Sequence, residues 1–272
     1  MPNAKDALQS NTKKVLLLGD TGNGKTTQFL TLPGRKYIHV FDPNAMNSLQ
    51  GYDLDYDLFL PTPVAAVATS LSKEKSGDKR ISTSEVYKNF ELQFNERLQN
   101  GFFDSYDWLG FDSATTLLDL MMDRVLSING RLGQWPHEDD YGPVMMAFTN
   151  LCRTLTAMNK NVVMTGHMQD KRNRKTGASK RQPMMTGTLA QKIPLLFSDI
   201  LGCDVDLDEK GKVVYLLHTV PDSEFTVIRT SIKGLSPVEN VTIDFSLKEK
   251  PLGLQGIGGI LSWERKQLGV AA

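Results

Sequence analysis

The chain has 272 residues, 40% of them hydrophobic and 23% charged, with 31 basic residues set against 31 acidic ones. That length supports one large α/β domain with a substantial core, and a balanced charge excludes a global field drawing nucleic acid or membrane, so any such binding needs a local patch. Cys152 and Cys203 are isolated, which excludes a disulfide scaffold or a cysteine metal site, and no apolar run reaches membrane-spanning length, so a soluble intracellular protein is expected.

Residues 1–13 are polar and lack the apolar stretch of a signal peptide. Lys14-Val15-Leu16-Leu17-Leu18 reads as a buried strand, and Gly19-Asp20-Thr21-Gly22-Asn23-Gly24-Lys25-Thr26 then fits G-x-x-x-x-G-K-[ST]. Thr27 to Leu32 can open a helix, which completes the strand, loop and helix order of a phosphate-binding loop. The glycines let backbone N–H groups converge on a phosphate chain. Lys25 is expected on the β/γ-phosphates of a nucleotide and the Thr26 hydroxyl on Mg²⁺.

A second strand, residues 36–42, ends in Asp42 before the turn-forming Pro43-Asn44. Residues 70–84 are polar with mixed charge and read as a solvated loop. From Glu85, Val86, Phe90, Leu92, Phe94 and Leu98 are roughly helix-spaced, and Asn100-Gly101 closes that crossover helix. The short strand 107–113 carries Asp112, a carboxylate placed either to hold a metal at the strand end or to N-cap the helix 114–126. Glu138, Asp139 and Asp140 form an acidic cluster read as facing solvent, and 142–158 has helical period with core methionines. Residues 161–167 read as a strand ending in His167. A polar loop follows, with Lys171, Arg172, Arg174, Lys175, Lys180 and Arg181 against one acid, fit to track phosphates but without an aromatic for base stacking. Strands are then expected at 200–205, 213–219, 225–230 and 241–245, so strand and helix alternate in the first half while the second is strand-rich.

This order of pieces resembles the RecA-like ATPase core, and phage-encoded RecA-like proteins in particular: AAA-type nucleotide-binding proteins and single-strand annealing recombinases. Phe111-Asp112-Ser113-Ala114-Thr115-Thr116-Leu117 looks like the aspartate-serine segment of RecA recombinases, and His167 stands where they sense the γ-phosphate. The resemblance implies a mainly parallel sheet flanked by helices, with a tail at 1–13, an ATPase domain at 14–248 and a C-terminal tail at 249–272 packing on the core or a neighbour. It implies ATP held by residues 19–27 (Gly19, Asp20, Thr21, Gly22, Asn23, Gly24, Lys25, Thr26 and Thr27), and Mg²⁺ held by Thr26 and Asp112. RecA proteins carry a glutamate on the second strand; here Asp42, one methylene shorter, is either the base or a turn cap. His167 is either sensor or structural histidine. The basic loop occupies the place of a DNA-binding loop, and Arg229 and Lys233 stand near where a subunit donates positive charge to a neighbour's nucleotide, or are surface cations. The implied function is ATP-dependent action on single-stranded DNA in phage recombination or annealing, in the cytoplasm of an infected bacterium. Self-association as ring or filament and a single-strand-binding protein as partner go with it. A packaging or helicase-type motor and a non-hydrolysing nucleotide-dependent DNA-binding module are the alternatives.

Overall fold

A computed structural model of the chain describes residues 12–61, 83–172, 177, 179–223, 225–246 and 252–267. Among the described residues nine strands form one sheet: β1 Lys14–Gly19, β2 Lys36–Val40, β3 Asp55–Leu58, β4 Trp108–Asp112, β5 Asn161–Arg172, β6 Ser179–Pro183, β7 Asp199–Leu207, β8 Val213–His218 and β9 Val238–Asn240. Their order is β3-β2-β4-β5-β1-β7-β8-β9, with β6 paired to the outer half of β5. The first six are parallel, and β8 and β9 add antiparallel. This is an α/β core built on a mixed, mainly parallel sheet.

β1 is central, so every one of its residues is buried, which explains its unbroken apolar sequence. Its side chains alternate between faces. Leu16 and Leu18 join one core with Phe41, Phe90, Phe111, Leu117 and Phe148, while Val15 and Leu17 join another with Phe29, Leu49, Ile257 and Leu261. The first core is covered by α2 Thr83–Gln99, α3 Ala114–Ile128 and α4 Glu138–Ala157. The second lies under the one-turn α1 Met46–Leu49 and the C-terminal α6 Gly256–Gln267. A one-turn α5, Leu189–Lys192, precedes β7.

Several expectations need correction. The helix after the phosphate loop is only a 3₁₀ segment, Thr26–Thr31, because Pro33 disfavours helical geometry at Leu32 and β2 begins three residues later. On α2, Val86, Phe90 and Phe94 are buried at i, i+4 spacing, whereas Leu92 falls off that stripe and Leu98 continues it only at the last turn, and both are exposed. The expected loop at 70–84 lies mostly outside the described residues, and Thr83 and Ser84 open α2. α4 starts four residues earlier than its periodicity suggests, because Asp140 closes a capping box with His137. Asp140 does not face solvent. Its carboxylate is fully buried, accepts from His137 N (2.7 Å) and Asn129 Nδ2 (2.9 Å), and pairs with Arg131. The Arg131 guanidinium first, with those bonds, pulls it down to about 2. Residues 225–230 form no strand; a lone bridge joins Arg229 to Ile200 while Phe225 and Ile228 reach the core. The expected 241–245 strand is displaced to β9.

Both cysteines are buried and free. Among the described residues no helix is long and apolar enough to cross a membrane.

Candidate nucleotide-binding site

β1, β2, β4 and β5 run parallel, so the loops leaving them open at one edge of the sheet, where ligands of such folds bind. A cleft of about 510 Å³ lies there, lined by Thr21, Gly22, Gly24 and Lys25 to Thr27 from the phosphate loop, by Asp42 to Ala45 and Ser48 after β2, and by Asp112, His167 and Tyr215. The strand ends thus bring together Lys25, Thr26, Asp42, Asp112 and His167, which are scattered over 143 positions of sequence.

Lys25 is folded back on its own loop. Its Nζ donates to the carbonyls of Gly19 (3.0 Å) and Asp20 (2.7 Å). Burial pulls its pKa down, against the opposing pull of Cys203, Asp112, Asp42 and Asp20. Asn23 does not line the cleft; its buried amide donates to Cys203 O (2.9 Å) and ties the loop to β7. Gly24 has φ +74°, and a Cβ there would stand 2.8 Å from the Tyr215 ring, so both backbone sterics and the neighbouring wall require glycine.

Thr26 Oγ1 donates to Asp112 Oδ2 (2.8 Å), and Thr165 Oγ1 donates to the other carboxylate oxygen. Ser113, not Asp112, N-caps α3, accepting weakly from Thr116 N (3.5 Å). Asp112 is therefore left for Thr26. It is fully buried, and that burial raises its pKa despite the bonds from Thr165 and Thr26 and the charge of Lys25. A buried carboxylate beside a hydroxyl is a hard-oxygen pair suited to Mg²⁺, which takes one or two protein ligands and completes its shell with water and phosphate.

Asp42 accepts from Ser113 Oγ (3.2 Å) and from Thr116 Oγ1, and its Oδ2 lies 3.7 Å from His167 Nε2. Burial opposes its charge, but the nearby His167 and the hydrogen bonds from Thr116 and Ser113 outweigh burial and hold the carboxyl below its usual range. The backbone N–H of His167 donates to Thr115 Oγ1 (3.1 Å), locking β5 to the start of α3.

The basic segment after His167 is a hairpin rather than a loop. β5 runs on through Arg172 and β6 returns beside it, pairing Gln169 with Gln182 and Asp170 with Arg181. Lys171 and Arg172 are exposed. Arg181 instead pairs with Asp20 of the phosphate loop and lies over the Phe225 ring. Arg174 and Lys175 lie outside the described residues, and of Lys180 the backbone alone is described. Arg229 and Lys233 do not line the cleft. Arg229 Nη2 donates to the carbonyls of Pro194 (3.2 Å), Leu195 (3.2 Å) and Phe197 (2.7 Å), capping the turn before β7. Lys233 is exposed.

Thr165, Thr116 and Tyr215 were not visible as site residues in the sequence. The two threonines sit one helical turn or two strand positions from residues that were, while nothing around Tyr215 in sequence marks it. The C-terminal tail also reaches this region: Ile257 N donates to Gln28 Oε1 (2.9 Å) and Gly258 N to Thr31 Oγ1 (3.0 Å), both on the 3₁₀ segment behind the loop.

A family model described as an AAA domain matches residues 11–227. No curated protein matches. Among solved structures, the X-ray structure of the Legionella pneumophila ATPase DotB aligns at 8% identity with a TM-score of 0.30. That alignment covers all of this chain but 62% of the other.

Proposed function

The chain belongs to the AAA domain family, and on that premise we propose that it binds ATP in the cleft above β1 and hydrolyses it while engaged with single-stranded DNA, in phage recombination or strand annealing. The observation that carries this reading is the convergence of Lys25, Thr26, Asp112, Asp42 and His167 on one cleft, with a basic hairpin growing directly out of the His167 strand.

The Lys25 ammonium moves from its own loop carbonyls to the β/γ-phosphates when ATP enters. Thr26 and Asp112 would hold Mg²⁺, which when bound neutralises charge on the β- and γ-oxygens. Phosphoryl transfer asks the protein chiefly for positioning and charge stabilisation. Asp42, kept ionised and anchored by Ser113 and Thr116, orients the attacking water, and His167 faces it from β5. A change at His167 passes along β5 into the hairpin, where Lys171 and Arg172 meet DNA phosphates. Each neutralised phosphate adds to the salt dependence of binding. Arg229 is spent on its own turn, so Lys233 is the better candidate for a cation offered to a neighbour's nucleotide in a ring or filament. A single-strand-binding protein is the natural companion on such DNA, and an infected bacterial cytoplasm its setting.

One observation favours a second reading. Asp42 is short and already accepts two hydroxyls, which suits a nucleotide-dependent DNA-binding module that does not hydrolyse. ATP hydrolysis measured with and without single-stranded DNA, at low and high salt and with Lys25→Ala as blank, separates them. DNA stimulation that fades with salt supports the coupled ATPase. Turnover indifferent to DNA points to a packaging or helicase-type motor, and ATP binding without turnover to the passive module.

A further inference from the structure

A second cleft, of about 430 Å³, lies between α3, the start of α4 and the β5–β6 hairpin, a size that takes small ligands. Its floor is apolar, with Leu118 and Met185 both buried. Tyr141 stands at one wall and Asp119 at another. From the hairpin come Gln169 and Gln182, direct cross-strand partners whose side chains share one face. Lys171, two residues on from Gln169 and therefore on that same face, lines the cleft too and is exposed. Among the described residues, the side chains of Tyr141, Gln169, Gln182 and Asp119 make no hydrogen bond. The hairpin thus has two faces: Arg181 on one is held by the phosphate loop, and the amides on the other are turned to this cleft without partners.

This combination selects its ligand. Asp119 and Asp170 repel a phosphate, so the phosphate stays at the rim, where Lys171 is exposed, and beyond it with Arg172. An aromatic wall, an apolar floor, two amides and two carboxylates, Asp119 and Asp170, suit a flat heterocycle with polar edges, and the carboxylates ask for N–H donors there. We propose that this cleft receives an unpaired base of the single-stranded DNA held by the hairpin, stacked on Tyr141 and read by Asp119, Gln169 and Gln182, with preference for bases bearing an exocyclic amino group over thymine. The inference rests on the DNA-binding reading of the hairpin. It also supplies the aromatic platform that the hairpin's own sequence lacks. The cleft adjoins the nucleotide site through one hydrogen bond: Thr115 lines it, and Thr115 Oγ1 accepts the N–H of His167, which lines the other.

The test uses the full chain and fluorescein-labelled 20-mers of dC and dT, titrated by anisotropy at fixed salt, with ATP affinity of each variant as the check on folding. Wild type is expected to bind dC about tenfold tighter than dT. Tyr141→Ala should weaken dC by about tenfold while Tyr141→Phe keeps it, and Asp119→Asn with Gln182→Ala should erase the preference for dC. If Tyr141→Ala and the Asp119→Asn, Gln182→Ala pair both bind dC and dT as wild type does, while Lys171→Ala and Arg172→Ala weaken both, the cleft takes no base and the hairpin reading survives alone. If neither oligonucleotide binds wild type at all, the DNA reading itself falls and this inference with it.

Discussion

Gly258→Ala tests whether the C-terminal helix is a structural support of the phosphate loop. A Cβ at position 258 would sit 1.6 Å from the backbone carbonyl oxygen of Thr31. A main-chain oxygen cannot swing aside as a side-chain tip can, so α6 must back away from the Thr26–Thr31 segment. The two bonds at that seam, Ile257 N to Gln28 Oε1 and Gly258 N to Thr31 Oγ1, would then stretch or break, at about 0.5–1.5 kcal/mol each. Overpacking adds about 1–3 kcal/mol. Together these predict a loss of about 2–6 kcal/mol, or about 5–20 °C in Tm for a domain of this size. ATP affinity should fall as well, since the displaced segment carries Thr26. Gly253→Ala is the control, because its Cβ would meet nothing closer than Thr31 O at 3.7 Å. Thermal unfolding and ATP titration of both variants decide the matter. A Gly258→Ala protein as stable and as tight for ATP as Gly253→Ala would refute the reasoning.

Three further outcomes are expected. His39 is buried in a cluster of aromatic rings, stacked on Phe111, and burial lowers its pKa to about 4; because the unfolded chain binds the proton more readily, this contribution is present above about pH 6.5 and is lost as pH falls from there toward 4. Over that window His39→Phe should flatten the acid loss of stability by up to about 3 kcal/mol, and an unchanged pH profile in urea melts would contradict it. Arg229→Ala should lower Tm by stripping three carbonyls of their donor, with ATPase rate per folded molecule preserved; an unchanged Tm with ATPase lost in the assembled state alone would instead make Arg229 a cation given to a neighbour. Gly24→Ala should cost at least about tenfold in ATP affinity through strain at positive φ and contact with Tyr215, checked by titration, and normal binding would show that the loop reshapes freely.

What the sequence made legible was whatever a continuous apolar run or a fixed spacing encodes. Strands β1, β2, β4 and the inner half of β5 are such runs, and in a parallel sheet their ends gather Lys25, Asp42, Asp112 and His167 without further information. The outer half of β5 and its return in β6 were illegible, because Gln169, Lys171, Lys180 and Gln182 at one set of alternating positions and Asp170, Arg172 and Arg181 at the other make the hairpin polar on both sides, and hydrophobic period is then silent. Asp140 looked solvated because its partners Asn129, Arg131 and His137 come together only through capping geometry. Phe225 to Thr230 has the composition of a strand, yet buries Phe225 and Ile228 from an irregular path pinned by Arg229. The role of the glycines near 256–259 follows from how closely α6 approaches Thr31, a distance no local pattern carries.

The central claim is that Lys25, Thr26 and Asp112 form one nucleotide and metal site. Equilibrium binding of ATP, with Mg²⁺ and with chelator, to wild type, Lys25→Ala and Asp112→Asn tests it most directly. The account predicts that chelator weakens ATP binding to wild type, that Asp112→Asn lowers affinity in Mg²⁺ and loses the response to chelator, and that Lys25→Ala weakens binding under both conditions. Wild-type affinity in Asp112→Asn with its Mg²⁺ dependence intact would contradict the account.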